Sequence, residues 1–145
     1  MHLKKLSVLA CVFMIGCKSM PVTTMPNEIA VSASANFYSI IATDAVPGAI
    51  KAIKACYDGA KERDNYLFCL SMDIQGQRFD DAMSKRTNLP GDTYFAPENF
   101  ENRLMLLQRW YPYKSQLDYV LKQIMAGLEQ GTKNEVARVE GLKKT

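Results

Sequence analysis

Two cysteines near the middle of the chain constrain its fold more than any other feature. Cys56 and Cys69 lie 13 residues apart, and the midpoint between them falls within the polar segment Lys61–Asn65. Apolar residues recur at intervals of three and four on both sides of this segment, which predicts two amphipathic helices joined by a turn. Residues at equal distances from the bend of an antiparallel helical hairpin face each other. We therefore predict a disulfide between Cys56 and Cys69, which would contribute about 3 kcal/mol of stability.

The same apolar spacing covers most of the chain and predicts an all-α fold. No segment shows the alternation of apolar and polar residues that is typical of half-buried strands. The fifth predicted helix has the clearest apolar stripe, and we expect it to end at Gly131, before a short last helix that a capping box opens at Thr132. We expect a small disulfide-stapled bundle of about five helices. The predicted helices cover residues 36–45, begin at Pro47, cover residues 64–86, begin at Pro97 and begin at Ser115.

The first residues have the composition of a secretory signal. Lys4 and Lys5 precede the apolar run Leu6–Ile15, which is shorter than the roughly 20 residues that a membrane-spanning helix requires. The tetrapeptide Met14-Ile15-Gly16-Cys17 resembles the lipobox of bacterial lipoproteins. This resemblance covers residues 1–17 and implies that Cys17 is acylated and becomes the first residue after cleavage. The alternative is a plain signal peptide that is cleaved elsewhere.

The lipobox also implies a location and a domain organisation. Lys18 after the cysteine resembles the pattern of lipoproteins sent to the outer membrane, so we expect an envelope protein that faces the periplasm. Two or more acyl chains, palmitate among them, bind a bilayer stably. Residues 18–36 contain two prolines and many small polar residues, which is typical of a flexible tether. We expect a signal peptide over residues 1–16, the lipidated Cys17 and a tether up to residue 36, and a helical domain over residues 37–145.

Charge and residue counts exclude several classes of function. Removal of residues 1–16 leaves 129 residues with 16 Lys and Arg against 15 Asp and Glu, which is not the basic composition of a nucleic-acid-binding protein. The single histidine, His2, lies in the signal. The mature chain therefore has no Ser-His-Asp triad, no Cys-His pair and no histidine to bind a metal. We expect a protein that is not an enzyme and that holds no metal and no cofactor.

One group of polar side chains keeps a carboxylate enzyme under consideration. Asp73, Gln77 and Asp80 share one face of the third predicted helix. The two carboxylates are roughly 10 Å apart along the helix axis, which is too far to share a proton and marginal for an inverting glycosidase. The simpler interpretation is a solvated face with ion pairs. The candidate partners for Asp73 or Asp80 are Arg78, Lys85 and Arg103.

Aromatic side chains flank the fourth predicted helix and are the leading candidates for partner contact. Trp, Tyr and Arg are the residue types that dominate interface hot spots. The two ends of a helix of about 13 residues lie roughly 20 Å apart. Large rings at the ends of a bundle are also commonly buried, so both interpretations stay open. The candidate contact residues are Tyr94, Phe95, Arg109, Trp110, Tyr111 and Tyr113.

A short segment in the same region resembles a known family. Residues 102–114, NRLMLLQRWYPYK, are similar to a segment of small disulfide-bonded lysozyme inhibitors, whose remaining pattern is missing here. Our leading expectation is a non-enzymatic lipoprotein that binds a periplasmic or outer-membrane protein as an accessory or assembly factor, in the manner of the small helical pilotins of secretion systems. The alternative is an inhibitor or immunity protein against a cell-wall-degrading enzyme.

Overall fold

The structure, a computed structural model, describes residues 24–143 as four α-helices and two short 3-10 turns. The predicted all-α class is confirmed, and residues 24–143 contain no strand. The predicted signal peptide and the predicted lipidation site Cys17 lie outside the described residues. The helices are α1 (Pro26–Gly59), α2 (Arg63–Thr87), α3 (Pro97–Met105) and α4 (Lys114–Leu142), and the 3-10 turns are Thr93–Phe95 and Leu106–Arg109.

Helix α1 is divided into two segments at Ala45, whose φ of 56° and ψ of −162° are not helical. A straight helix would place Ala33 and Ile53 about 30 Å apart, yet both belong to one core cluster. The chain therefore reverses direction at Ala45, and the two segments pack side by side. Pro47 lies in the first turn of the second segment, where its fixed φ suits a helix start. The predicted break is confirmed, although the two segments form one of four helices rather than two of five.

The start of α1 corrects the predicted tether. Because α1 begins at Pro26, residues 26–36 are helical and belong to the bundle. Ala30 and Ala33 have no exposed surface, and Ile29 is only 7% exposed. Small residues allow helices to approach closely, so a composition that is typical of a linker here belongs to a packed helix. Only seven residues, 18–24, separate Cys17 from the beginning of the domain.

The disulfide closes the hairpin between α1 and α2 as predicted. Cys56 and Cys69 are bonded, and their Cα atoms are 5.5 Å apart, which is a common separation for a disulfide. The turn between the two helices consists of residues 60–62, which overlap the polar segment predicted to form it. Observed helix α2 extends the predicted third helix by one residue at each end.

Helix α4 continues past its predicted end. Gly131 does not end the helix, which runs to Leu142 without a separate last helix, so the predicted capping box at Thr132 lies inside α4. Gly131 is buried, and a Cβ atom there would lie 2.5 Å from the Cβ of Ser34 in α1. The missing side chain allows α1 and α4 to approach closely, which explains a glycine in the middle of a helix despite its low helix propensity.

By length and composition, α1 is also the one described helix that could cross a membrane, with a mean hydropathy of 1.2 over an 18-residue stretch. The reversal at Ala45 interrupts it, and its residues Ile29, Phe37 and Ile53 are buried in the core. We therefore interpret α1 as a core helix of the bundle.

The two 3-10 turns position α3 against the bundle. Leu107, from the second turn, has no exposed surface and packs in one core cluster with residues of α1, α2 and α4. Phe95, from the first turn, packs in a second cluster with Ala33, Ile53 and Met72. The segment between α2 and α4 is thus anchored at both of its turns, and the aromatic residues flanking α3 are held in place.

Candidate functional site

Asp73 is a charged residue of α2 whose side chain has no exposed surface. Arg103 of α3 binds it with two nitrogens: Nε donates to Oδ2, and Nη2 donates to Oδ1 at 3.0 Å. The hydroxyl of Tyr57 also donates to Oδ2, at 3.0 Å. The expectation of a solvated face is therefore wrong for Asp73. Arg103, one of the three candidate partners, is the one that it binds.

The guanidinium of Arg103 connects three parts of the chain around this carboxylate. Its Nη2 also donates to the Tyr94 carbonyl, and its Nη1 donates to the Asn99 carbonyl, both at 3.0 Å. The ring of Tyr94 lies 4.1 Å from the guanidinium carbon. Burial raises the pKa of the Asp73 carboxyl, and the hydrogen bonds from Arg103 and Tyr57 act in the opposite direction. With these bonds made, a buried ion pair joins α2, α3 and the first 3-10 turn.

The other two polar residues of the predicted face have separate partners. Asp80 accepts a hydrogen bond from the backbone nitrogen of Asp92 at 3.0 Å, and Gln77 donates to the Phe95 carbonyl at 3.4 Å. Both contacts hold the loop between α2 and α3. Because Asp73 is enclosed and Asp80 binds the backbone, this face does not present two carboxylates to a common substrate.

Tyrosines extend the buried network towards the α1–α2 turn. The hydroxyl of Tyr66 donates to the Arg103 carbonyl at 2.6 Å. The ring of Tyr66 lies 5.2 Å from that of Tyr57 on one side and 5.2 Å from that of Trp110 on the other. Burial raises the pKa of Tyr66 to about 12, so its hydroxyl remains a donor at neutral pH. Trp110 therefore packs against a tyrosine ring whose hydroxyl is itself held by a hydrogen bond.

The structure places the predicted aromatic contact residues in different environments. Phe95 is 4% exposed, and its ring fills the space where Gly76 would carry a Cβ atom, at 2.6 Å. The structure therefore excludes Phe95 from a contact surface. Tyr94 is half-buried beside Arg103. The remaining candidates lie together after α3, where Trp110 and Tyr111 are half-buried and Arg109 and Tyr113 are exposed.

Trp110 lies between two open pockets. The Leu106 pocket has a volume of about 420 Å³, and the Met25 pocket has a volume of about 460 Å³. Of residues 24–143, Trp110 alone lines both. The Leu106 pocket is further lined by Tyr57, Ala60, Tyr66, Met105, Leu106 and Arg109, and the Met25 pocket chiefly by Met25, Pro26, Arg63, Tyr111, Tyr119 and Val120.

Both pockets have exposed apolar rims. Leu106 is 58% exposed and Met105 51%, while Tyr119 is 55% and Met25 48% exposed. Single exposed apolar residues are ordinary, but several together mark an interaction surface. These four residues were absent from the predicted contact set, because an apolar residue in a helical pattern does not reveal whether a neighbour covers it. Arg109, with its guanidinium carbon 5.6 Å from the Trp110 ring centre, was predicted.

A third pocket, of about 540 Å³, lies between α2 and the loop that follows it. Asp80, Asp81 and Asp92 line it. Asp80 there binds the backbone of the loop, and Asp81 binds Lys85 at 2.6 Å. Across residues 24–143, no group of three or more His, Cys, Asp or Glu side chains is placed to hold a metal ion. The surface around Trp110 is therefore the candidate functional site.

Comparison with models of protein families, with curated proteins and with solved structures found no match to this chain.

Proposed function

We propose that the protein is a non-enzymatic lipoprotein of the bacterial envelope that binds another envelope protein as an accessory or assembly factor, in the manner of pilotins. It is anchored at the periplasmic face of the outer membrane by the acyl chains on Cys17. The observation that carries the binding function is the exposed apolar Leu106 pocket. The location is supported by the resemblance of residues 1–17 to a lipoprotein signal.

The Leu106 pocket has the features of a protein-binding site. Leu106 and Met105 offer exposed apolar surface, while Trp110 and Arg109 are of the types that dominate hot spots. The floor of the pocket includes Tyr66, whose hydroxyl is bound to the Arg103 carbonyl. A floor that is already ordered lowers the entropic cost of binding. These features support a preformed contact site for a partner protein.

The proposal that the protein is not an enzyme is supported by the roles of its polar residues. The only histidine, His2, precedes the proposed cleavage site. Asp73 is enclosed by Arg103 and Tyr57, and both core cysteines form the disulfide. These groups serve the structure of the bundle and are not available to a substrate.

An inhibitor of a cell-wall-degrading enzyme is the second candidate, and one observation favours it. Residues 102–114, which resemble a segment of lysozyme inhibitors, form the end of α3, the second 3-10 turn and the connection up to the first residue of α4. Leu106, Arg109 and Trp110 of this segment line the Leu106 pocket. A direct assay of lysozyme activity with added protein distinguishes the candidates: dose-dependent inhibition that Leu106→Ala abolishes would favour the inhibitor.

Photo-crosslinking in cells tests the partner-binding function. A crosslinking amino acid at position 106, in the lipidated protein, is expected to capture one discrete envelope protein. Position 89 is the matched control, because Leu89 is 65% exposed but lies in the loop after α2, away from the pocket. The same products from both positions, or none from position 106, would contradict the proposal.

Affinity measurements with the captured partner complete the test. Leu106→Ala and Arg109→Ala are expected to weaken binding while the melting temperature holds, because both side chains are exposed. Truncation of a hot-spot residue typically costs 2 kcal/mol or more, or about thirtyfold in affinity. Leu89→Ala should bind as the unmodified protein does.

Acylation of Cys17 is tested separately from partner binding. Cys17→Ser is expected to yield an unlipidated protein that fractionates with soluble proteins and incorporates no labelled palmitate. Continued palmitate labelling with membrane fractionation would refute acylation at this cysteine, whatever the partner experiments show.

A further inference from the structure

The Met25 pocket lies where the chain enters the described structure. Thr24 and Met25 form part of its wall, and six residues, 18–23, lie between Cys17 and Thr24. A fully extended chain of this length reaches at most about 25 Å, whereas the tether predicted up to residue 36 would have reached about 65 Å. If Cys17 is acylated, as the proposed function holds and as this inference requires, the pocket stays within that shorter distance of the bilayer.

The face around this pocket has the composition of a membrane interface. Tyr119 and Met25 are half exposed, and Trp110 and Tyr111 are half-buried. Tyr and Trp rings favour the headgroup region, because they combine an apolar body with a polar tip.

Two ion pairs lie beside the face. Arg63 binds Asp64 at 2.6 Å, and Lys114 binds Asp118 at 2.9 Å. The face therefore presents apolar surface rather than a strong net charge, and the burial of that surface, more than attraction to anionic lipid, would hold it to a bilayer.

We infer that the face formed by Met25, Tyr111 and Tyr119 docks into the headgroup region of the membrane that holds Cys17. The lipid anchor brings this face to the bilayer, and the rings then fix the orientation of the bundle. The Leu106 pocket shares only Trp110 with the docked face, so it remains accessible to the partner protein. The domain thereby has two distinct contact surfaces, one for lipid and one for protein.

Trp110 is the only tryptophan in the chain, so its fluorescence reports on the docked face without a label. The acylated protein is reconstituted in vesicles of phosphatidylethanolamine and phosphatidylglycerol, with or without bromine on the acyl chains. We expect the emission to shift to shorter wavelength on reconstitution and to be quenched by the brominated lipid.

Two glutamate variants on one helix provide the matched comparison. Tyr119→Glu is expected to abolish the quenching, because it places a charge in the docked face. Val136→Glu should leave the quenching unchanged. Val136 is 52% exposed, close to the 55% of Tyr119, but it lies roughly 25 Å further along α4. Circular dichroism of both variants checks that the helices are intact.

The outcomes separate this inference from the proposed function. Protein that floats with the vesicles but is not quenched would refute the docked face and leave the anchor standing. Protein that does not float would overturn the anchor and the inference with it. A Trp110 emission that does not change on reconstitution in vesicles would also overturn the inference, as would equal quenching in the two variants.

Discussion

Asp73 and Arg103 form an ion pair that determines how α3 is attached to the bundle. A carboxylate with no exposed surface is stable only when its charge is compensated. Arg103 provides that compensation with two nitrogens, and Tyr57 adds a third hydrogen bond. The same arginine binds the Tyr94 and Asn99 carbonyls. One side chain thus joins α2, α3 and the first 3-10 turn.

Removal of the arginine is expected to be costly. Arg103→Ala leaves the Asp73 carboxylate buried without its partner, which typically costs about 3–5 kcal/mol of unfolding free energy. Lys85→Ala is the control, because its pair with Asp81 is exposed on both sides and such pairs contribute at most about 1 kcal/mol. Urea denaturation of both variants measures the difference.

A double variant checks the cause of that loss. Asp73→Asn combined with Arg103→Ala should lose less stability than the two single variants lose in sum, because the neutral amide removes the uncompensated charge. Strictly additive losses, or a loss in Arg103→Ala no larger than that in Lys85→Ala, would show that the pair does not carry the attachment of α3.

Two glycines of α4 allow helices α1 and α4 to pack in close contact. Gly127 and Gly131 are one helical turn apart on α4, and both are buried. A side chain at Gly127 would overlap the backbone of Asn27, and one at Gly131 would meet Ser34. Gly141 lies on the same helix, and a Cβ atom there would meet nothing within 4 Å. The three glycines differ only in what faces them.

Alanine at these positions is expected to change stability in opposite directions. Gly131→Ala should destabilise the protein by about 1–3 kcal/mol, because the added methyl group forces α4 away from α1. Gly141→Ala should be neutral or stabilising, by up to about 1 kcal/mol, because alanine has the higher helix propensity. Thermal melts followed by circular dichroism compare them. A stabilising Gly131→Ala would mean that the two helices are not in close contact.

The whole molecule depends on two reversals of the chain, at Ala45 and at residues 60–62. The disulfide crosses the second reversal and joins Cys56 of α1 to Cys69 of α2. In a domain of this size, a disulfide is a large part of a total stability of about 5–15 kcal/mol.

Removal of the disulfide should therefore lower stability throughout the bundle. In a Cys17→Ser background, which leaves this pair as the only cysteines of the mature chain, Cys56→Ala with Cys69→Ala is expected to lose about 2–4 kcal/mol. The Cys17→Ser protein with Cys56 and Cys69 intact should lose the same amount of stability when it is reduced. Its two thiols should react with maleimide only after reductant is added. Reactive thiols in protein isolated from the periplasm would contradict the disulfide.

The helical class, the break before Pro47, the bounds of α2 to within one residue and the disulfide hairpin could all be predicted from the sequence. Each depends on local information: apolar spacing, the fixed φ of proline, and the positions of two cysteines about a turn. Part of the candidate site was also predicted from residue type, namely Arg109, Trp110, Tyr111 and Tyr113.

The contacts between residues of different helices could not be predicted in this way. The helical start at Pro26, the burial of Asp73 and Phe95, the close contact at Gly131 and the exposure of Leu106 all depend on residues distant in the chain. An alanine or glycine has the same local conformational preferences at a helix contact as in a linker or at a helix end. An apolar residue has the same sequence spacing whether another element buries it or solvent surrounds it. Close packing between elements distinguishes these cases, because it specifies where a side chain has room and where it does not.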